Sequence, residues 1–128
     1  MASKLEELFE SEWQLTYPEI QLVPQYKVVP DRKFRIDFAH LPSKTGIEVQ
    51  GGRWIKGGHT SGKGIFKDCE KSLSCAEIGW LILPIVDSMI TKEYIIKIYS
   101  VIKARQHLLN YQETVSYTHL TLPTTFGV

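Results

Sequence analysis

The chain has no long apolar run. Its longest, Trp80 to Val86, is far short of the ~20 residues that a membrane-spanning helix needs. The first residues are acidic and amphipathic, which does not fit a secretory signal peptide. Cysteine is scarce. Cys69 and Cys75 fall in one expected helix, at no common ligand spacing and with no histidine near enough to complete a zinc box. They read as buried or idle thiols of a reducing compartment, so a cytoplasmic protein is expected. Net charge is scarce as well: 15 basic against 14 acidic side chains, +1 in all, which excludes a strongly basic coat. There is no internal repeat, and the glycines do not follow the spacing of a phosphate-binding P-loop.

What is present is a composition typical of a globular protein and, in 128 residues, room for one core. The charge is unevenly spread. In the first thirty residues Glu6, Glu7, Glu10, Glu12 and Glu19 outnumber Lys4 and Lys27. Between residues 31 and 71, Arg32, Lys33, Arg35, Lys44, Arg53, Lys56, Lys63, Lys67 and Lys71 outnumber Asp31, Asp37, Glu48, Asp68 and Glu70. A locally basic field favours phosphate partners, although a solvated surface gives the same pattern.

Periodicity places the elements. Ser3 and Glu6 have capping-box spacing, and Leu5, Leu8, Phe9 and Trp13 form one apolar stripe, which predicts a helix over 3–15 ended by Tyr17-Pro18. Residues 25–29 read as a first strand. In 33–40, Phe34, Ile36 and Phe38 point one way and Arg35, Asp37 and Ala39 the other. In 46–50, Ile47 and Val49 share one face, Glu48 and Gln50 the other. A second helix is expected over 63–78, with Ile65, Phe66, Cys69, Leu73 and Ala76 on its apolar side and Lys63, Lys67 and Lys71 opposite. Residues 80–86 read as a fully buried strand. Residues 91–110 read as a last helix with Thr91 as N-cap. The second helix is the natural crossover between two parallel strands. Trp54 and Trp80 read as packing residues rather than base-stacking ones.

If 33–40 and 46–50 pair as a hairpin, their apolar faces must meet one core. Asp37, Glu48 and Gln50 then emerge on the other face, with Asp37 opposite either Glu48 or Gln50. Carboxylates about 5 Å apart at Cβ resist joint ionisation. A divalent cation such as Mg²⁺ relieves the conflict and suits phosphodiester hydrolysis. Two ordinary surface acids on a wet sheet face are the competing reading.

The spacing D-x(10)-E-x-Q (Asp37, Glu48, Gln50, with Val49 between the last two) resembles the PD-(D/E)XK nuclease signature. Together with EVQGGRW and HTSGKG, the stretch 32–83 resembles small phage and prophage endonucleases related to very-short-patch repair endonucleases and Holliday-junction resolvases. The resemblance implies an α/β, restriction-endonuclease-like core: a mixed central sheet of about four strands flanked by helices, in the order α-β-β-β-α-β-α. It implies an endodeoxyribonuclease in a bacterial or phage-infected cell, dependent on Mg²⁺ or Mn²⁺, acting on DNA as a monomer or homodimer without a membrane. Asp37 and Glu48 would bind the metal, joined by the Val49 carbonyl and by Glu6, whose other reading is the helix cap. The family's lysine is Gln50 here. Its charge would then come from the next helix, from Lys71 first and Lys63 second. Arg35, Arg53, Lys56, His59, Lys63 and Lys67 would contact DNA. His59 could also serve in proton transfer or be a plain loop residue. A catalytically inactive DNA-binding module on the same fold is the alternative, and an interaction domain of a larger phage assembly a third. The Thr-rich end from about 115 lacks periodicity and resembles the translated sequencing-adapter tails of assembled genes. The expected domain is therefore 1–112, with 113–128 a disordered or artefactual tail.

Overall fold

Thirteen residues, Lys4–Thr16, form helix α1. Ser3 caps it as expected, its hydroxyl accepting from the Glu6 N–H at 3.1 Å. A computed structural model of the chain describes residues 3–51 and 62–121, and side chains as far as residue 114. After α1 come strands β1 (Val23–Tyr26), β2 (Ile36–His40) and β3 (Thr45–Gln50), then helix α2 (Gly62–Glu77), strand β4 (Leu81–Val86) and helix α3 (Lys92–Thr121). A single 3₁₀ turn, Asp87–Met89, links the last two.

The protein is thus α/β, with a four-stranded mixed sheet in the order β1-β2-β3-β4. β1–β2 and β2–β3 are antiparallel, and β3–β4 is parallel, with α2 as the crossover. One face packs against α1 and α3 through Phe9, Trp13, Phe38, Ile47, Ile85, Ile95, Ile98 and Ile102. The other packs against α2 through Ile36, Ala39, Cys75 and Trp80. Tyr26 stacks on Trp80 with ring centroids 5.6 Å apart, so Trp80 is a packing residue. Among the described residues no helix is long and apolar enough to cross a membrane.

Five details differ from the sequence expectation. β1 is Val23–Tyr26, starting two residues and ending three residues before the expected 25–29, and Val28 instead anchors the following loop in the core. Leu8, placed on the apolar stripe of α1, is exposed. Ile36 and Phe34 pack on the α2 side while Phe38 packs on the α1/α3 side, so the alternation expected from Phe34 to Phe38 breaks at the start of β2. With both sheet faces covered, apolar residues are tolerated on either, and alternation loses its power to discriminate. β4 is not fully buried: it is an edge strand, with Leu81 and Pro84 exposed. An apolar run does not by itself distinguish a central from an edge strand, but Pro84, which offers no N–H, is at home on an edge. Finally, α3 runs past 110 to Thr121, since no proline or glycine interrupts the chain before Pro123. Among its described side chains the buried ones, Ile95, Ile98 and Ile102, lie in the first half.

Two features hold the sheet end opposite the acids. Arg105 of α3 donates to the carbonyls of Ser43, Lys44 and Gly79 and to the Thr45 hydroxyl, at 2.8–3.2 Å. His40 shares a 2.7 Å hydrogen bond with the Ser43 hydroxyl, which donates to Thr45 at 2.9 Å. Burial, and secondarily Lys103, lowers the His40 pKa. In β3, Gly46 is needed for space: a Cβ there would lie 2.7 Å from Ile36 Cγ2 and 2.8 Å from Ile82 Cδ1.

Candidate active site

The β2–β3 register pairs Phe38 with Ile47, Ala39 with Gly46 and His40 with Thr45. Carried one step further, it sets Asp37 opposite Glu48 rather than Gln50. At this point side chains replace the backbone ladder. The Asp37 N–H donates to Glu48 Oε2 at 3.2 Å, and the Val49 N–H donates to Asp37 Oδ2 at 2.8 Å. Each acid therefore closes its neighbour's strand, and the pair sits half-buried where the two strands end.

Lys71 arrives from α2. Its ammonium pairs with Glu48 Oε1 and donates to the Arg35 carbonyl at 3.2 Å. It also lies 5.5 Å from the centre of the Phe34 ring. One helix turn earlier, Asp68 lines the same space. The resulting cleft, about 340 Å³, is lined by Ser3, Glu6, Asp37, Glu48, Val49, Gln50, Gly51, Asp68 and Lys71. Six residues singled out from the sequence (Glu6, Asp37, Glu48, Val49, Gln50 and Lys71) thus share one cavity, although they come from α1, β2, β3 and α2. Ser3 had been named only as the helix cap, and Asp68 had no assigned role. Asp68 carried a signal in its spacing, since residues three apart on a helix share a face and Lys71 had been named.

Burial first, then the Glu48 charge, raises the Asp37 pKa from 3.8 to about 6, against a lowering by the Val49 N–H. This conflict is of the kind a cation relieves, and two half-buried carboxylates are donors of the type a hard divalent ion takes. Among the described residues no three of His, Cys, Asp and Glu stand close enough to make a metal group by themselves. Glu6 in particular is engaged elsewhere, accepting from Gln25 Nε2 at 3.0 Å and from the Ser3 hydroxyl at 3.2 Å. A two-carboxylate site still fits Mg²⁺, which keeps several waters and seldom uses an all-protein cage.

The remaining named residues lie around this cleft or beyond the described chain. Arg35 is exposed and donates to the Gln25 carbonyl at 3.3 Å. Lys67 lines an adjoining cleft of about 540 Å³ with Arg32, Lys33, Phe34 and Asp68, and Lys71 borders both. Lys63 is exposed at the start of α2 and lines neither cleft. Arg53, Lys56 and His59, with Trp54, lie outside the described residues. No family model matches the chain, and neither a curated protein nor a solved structure does.

Proposed function

We propose that the chain is a metal-dependent endonuclease of the PD-(D/E)XK type, with a restriction-endonuclease-like core, that hydrolyses phosphodiester bonds of DNA. The observation that carries this reading is the convergence in one cleft of Asp37 and Glu48, opposed on neighbouring strands, with Lys71 brought onto Glu48 from the crossover helix. Asp37, Glu48 and the Val49 carbonyl would hold Mg²⁺ or Mn²⁺. When bound, the cation supplies a Lewis acid for the phosphoryl oxygen and a more acidic water. Lys71 supplies the positive charge that Gln50 cannot, beside the place where negative charge would develop on the phosphoryl oxygens. Gln50 can orient a water through its amide. Lys67 and Lys33, exposed in the adjoining cleft where Arg32 is held by Glu70, would meet the phosphate backbone.

One observation favours a second reading. The Lys71–Glu48 ion pair satisfies Glu48 without any metal, and Gln50 stands where the family carries lysine. A DNA-binding module without catalysis has these features too. Plasmid nicking in Mg²⁺, Mn²⁺ or EDTA, beside Glu48→Ala, separates the two. The nuclease gives metal-dependent nicking that the substitution abolishes. Retained, salt-sensitive DNA binding with no nicking under either metal would replace it with the silent module.

A further inference from the structure

Helix α2 is mounted the wrong way round for a helix packed on a sheet. Its inward side carries Lys71 and Cys75, and its Glu70 and Ser74 hold Arg32 at 2.8 and 3.2 Å. The apolar side predicted from the sequence faces outward. Phe66 is 68% exposed and Leu73 71%, and Cys69 between them is exposed too. The inward side is committed to the acids and to Arg32, and the apolar side packs on no core cluster among the described residues. Exposed apolar surface of this kind on a helix marks an interaction site.

The pattern of that surface defines its occupant. Phe66, Cys69, Leu73 and Ala76 recur at alternating intervals of three and four residues, the seam spacing of a two-helix coiled coil. The bulky residue lies at one end and the small one at the other. Lys63 flanks the first end and Glu77 the last, and neither has an ion pair among the described residues. A parallel neighbour would set Phe66 on Phe66 and Ala76 on Ala76 and keep Lys63 and Glu77 at opposite ends of the seam. An antiparallel copy of the same helix sets Phe66 against Ala76 of the second copy and Cys69 against its Leu73; on the flank of the seam it sets Lys63 beside its Glu77 at both ends, and at the axis it sets Glu70 beside its counterpart, each already neutralised by its own Arg32. This is the self-complementarity that a two-fold axis requires.

We infer that α2 is a homodimerisation helix, pairing antiparallel with α2 of a second copy through Phe66, Cys69, Leu73 and Ala76. The pairing leaves Lys71 on the far side of each helix, facing its own cleft. It does not depend on the nuclease reading.

Sedimentation equilibrium of the full chain tests it. The chain sediments as a dimer. Leu73→Glu, at an exposed position, halves the mass without changing the far-UV circular dichroism. Lys63→Glu raises the dissociation constant about fivefold through two symmetry-related surface pairs, and adding Glu77→Lys restores it. A short bismaleimide links two chains through Cys69, and Cys69→Ser removes the link, while Cys75 is buried and does not substitute. A monomer at every concentration, with no Cys69 link, overturns the self-pairing and leaves the face to a different protein. A dimer that survives Leu73→Glu puts the interface elsewhere. Failure of the Glu77→Lys rescue overturns the antiparallel orientation.

Discussion

At the residue scale the protein is most exposed to test at Asp37. An acid whose folded pKa lies above its free value binds more protons in the native state than in the unfolded one. Its contribution to stability is therefore greatest below about pH 4 and is lost as pH rises to about 6, the value to which burial and Glu48 lift Asp37. In EDTA, Asp37→Asn should flatten this decline and stabilise the protein at pH 7 by on the order of 1 kcal/mol, after discounting for its partial exposure to water. Urea unfolding at pH 4.5 and 7, read as a difference between the two proteins, checks the sign. On the proposed function the same substitution should abolish Mg²⁺-dependent cleavage, so that stability and activity move in opposite directions. Lys71→Ala should lower the cleavage rate by about 10²-fold if the ammonium stabilises developing charge. Gln50→Ala should lower it less, since a neutral amide only orients. Single-turnover cleavage of a labelled duplex distinguishes the two, and equal losses would remove Lys71 from its assigned place.

At the element scale, most of the site was legible because it rests on strands. Parity in a hairpin puts Asp37 and Glu48 on one face whatever the register, and only the choice between Glu48 and Gln50 as the opposing residue had to wait for coordinates. The capping box of Ser3 and Glu6 and the crossover by α2 were legible for equally local reasons. What was not legible depends on which face is covered. The stripe of α2 gave its helical period correctly and its orientation wrongly, because the inward side is chosen by the ion pairs of Lys71 and Glu70 rather than by apolar burial. The edge position of β4 has the same origin, since neighbours are set by topology. Two substitutions probe how the elements are held. Gly46→Val should destabilise by about 1–3 kcal/mol through overpacking, because the stiff branched Ile36 side chain offers its Cγ2 at 2.7 Å and cannot swing away freely. Arg105→Ala should cost about 2 kcal/mol, since it releases three carbonyls and a hydroxyl at the β2–β3 turn and the entry to β4. Thermal unfolding measures both.

At the scale of the whole molecule, Ile102 is the last buried side chain of α3 among the described residues, and Arg105 one turn on still reaches Thr45 of β3. Removing residues 115–128 should therefore leave the thermal midpoint unchanged, which differential scanning calorimetry checks directly. Arg53, Lys56 and His59 were named from a segment outside the described residues, and their part in the site rests on sequence alone. The topology carries one more consequence, for the order in which the protein folds. Asp37 and Glu48 belong to a local hairpin, whereas Lys71 reaches them only when the parallel β3–α2–β4 unit closes, and contacts at longer separation in the chain form later. In the interval the two acids face each other with no cation between them. Electrostatic repulsion then falls on the hairpin step, so stopped-flow refolding should be faster in mild acid than at neutral pH, and the charge of this acidic pair acts as a brake on folding.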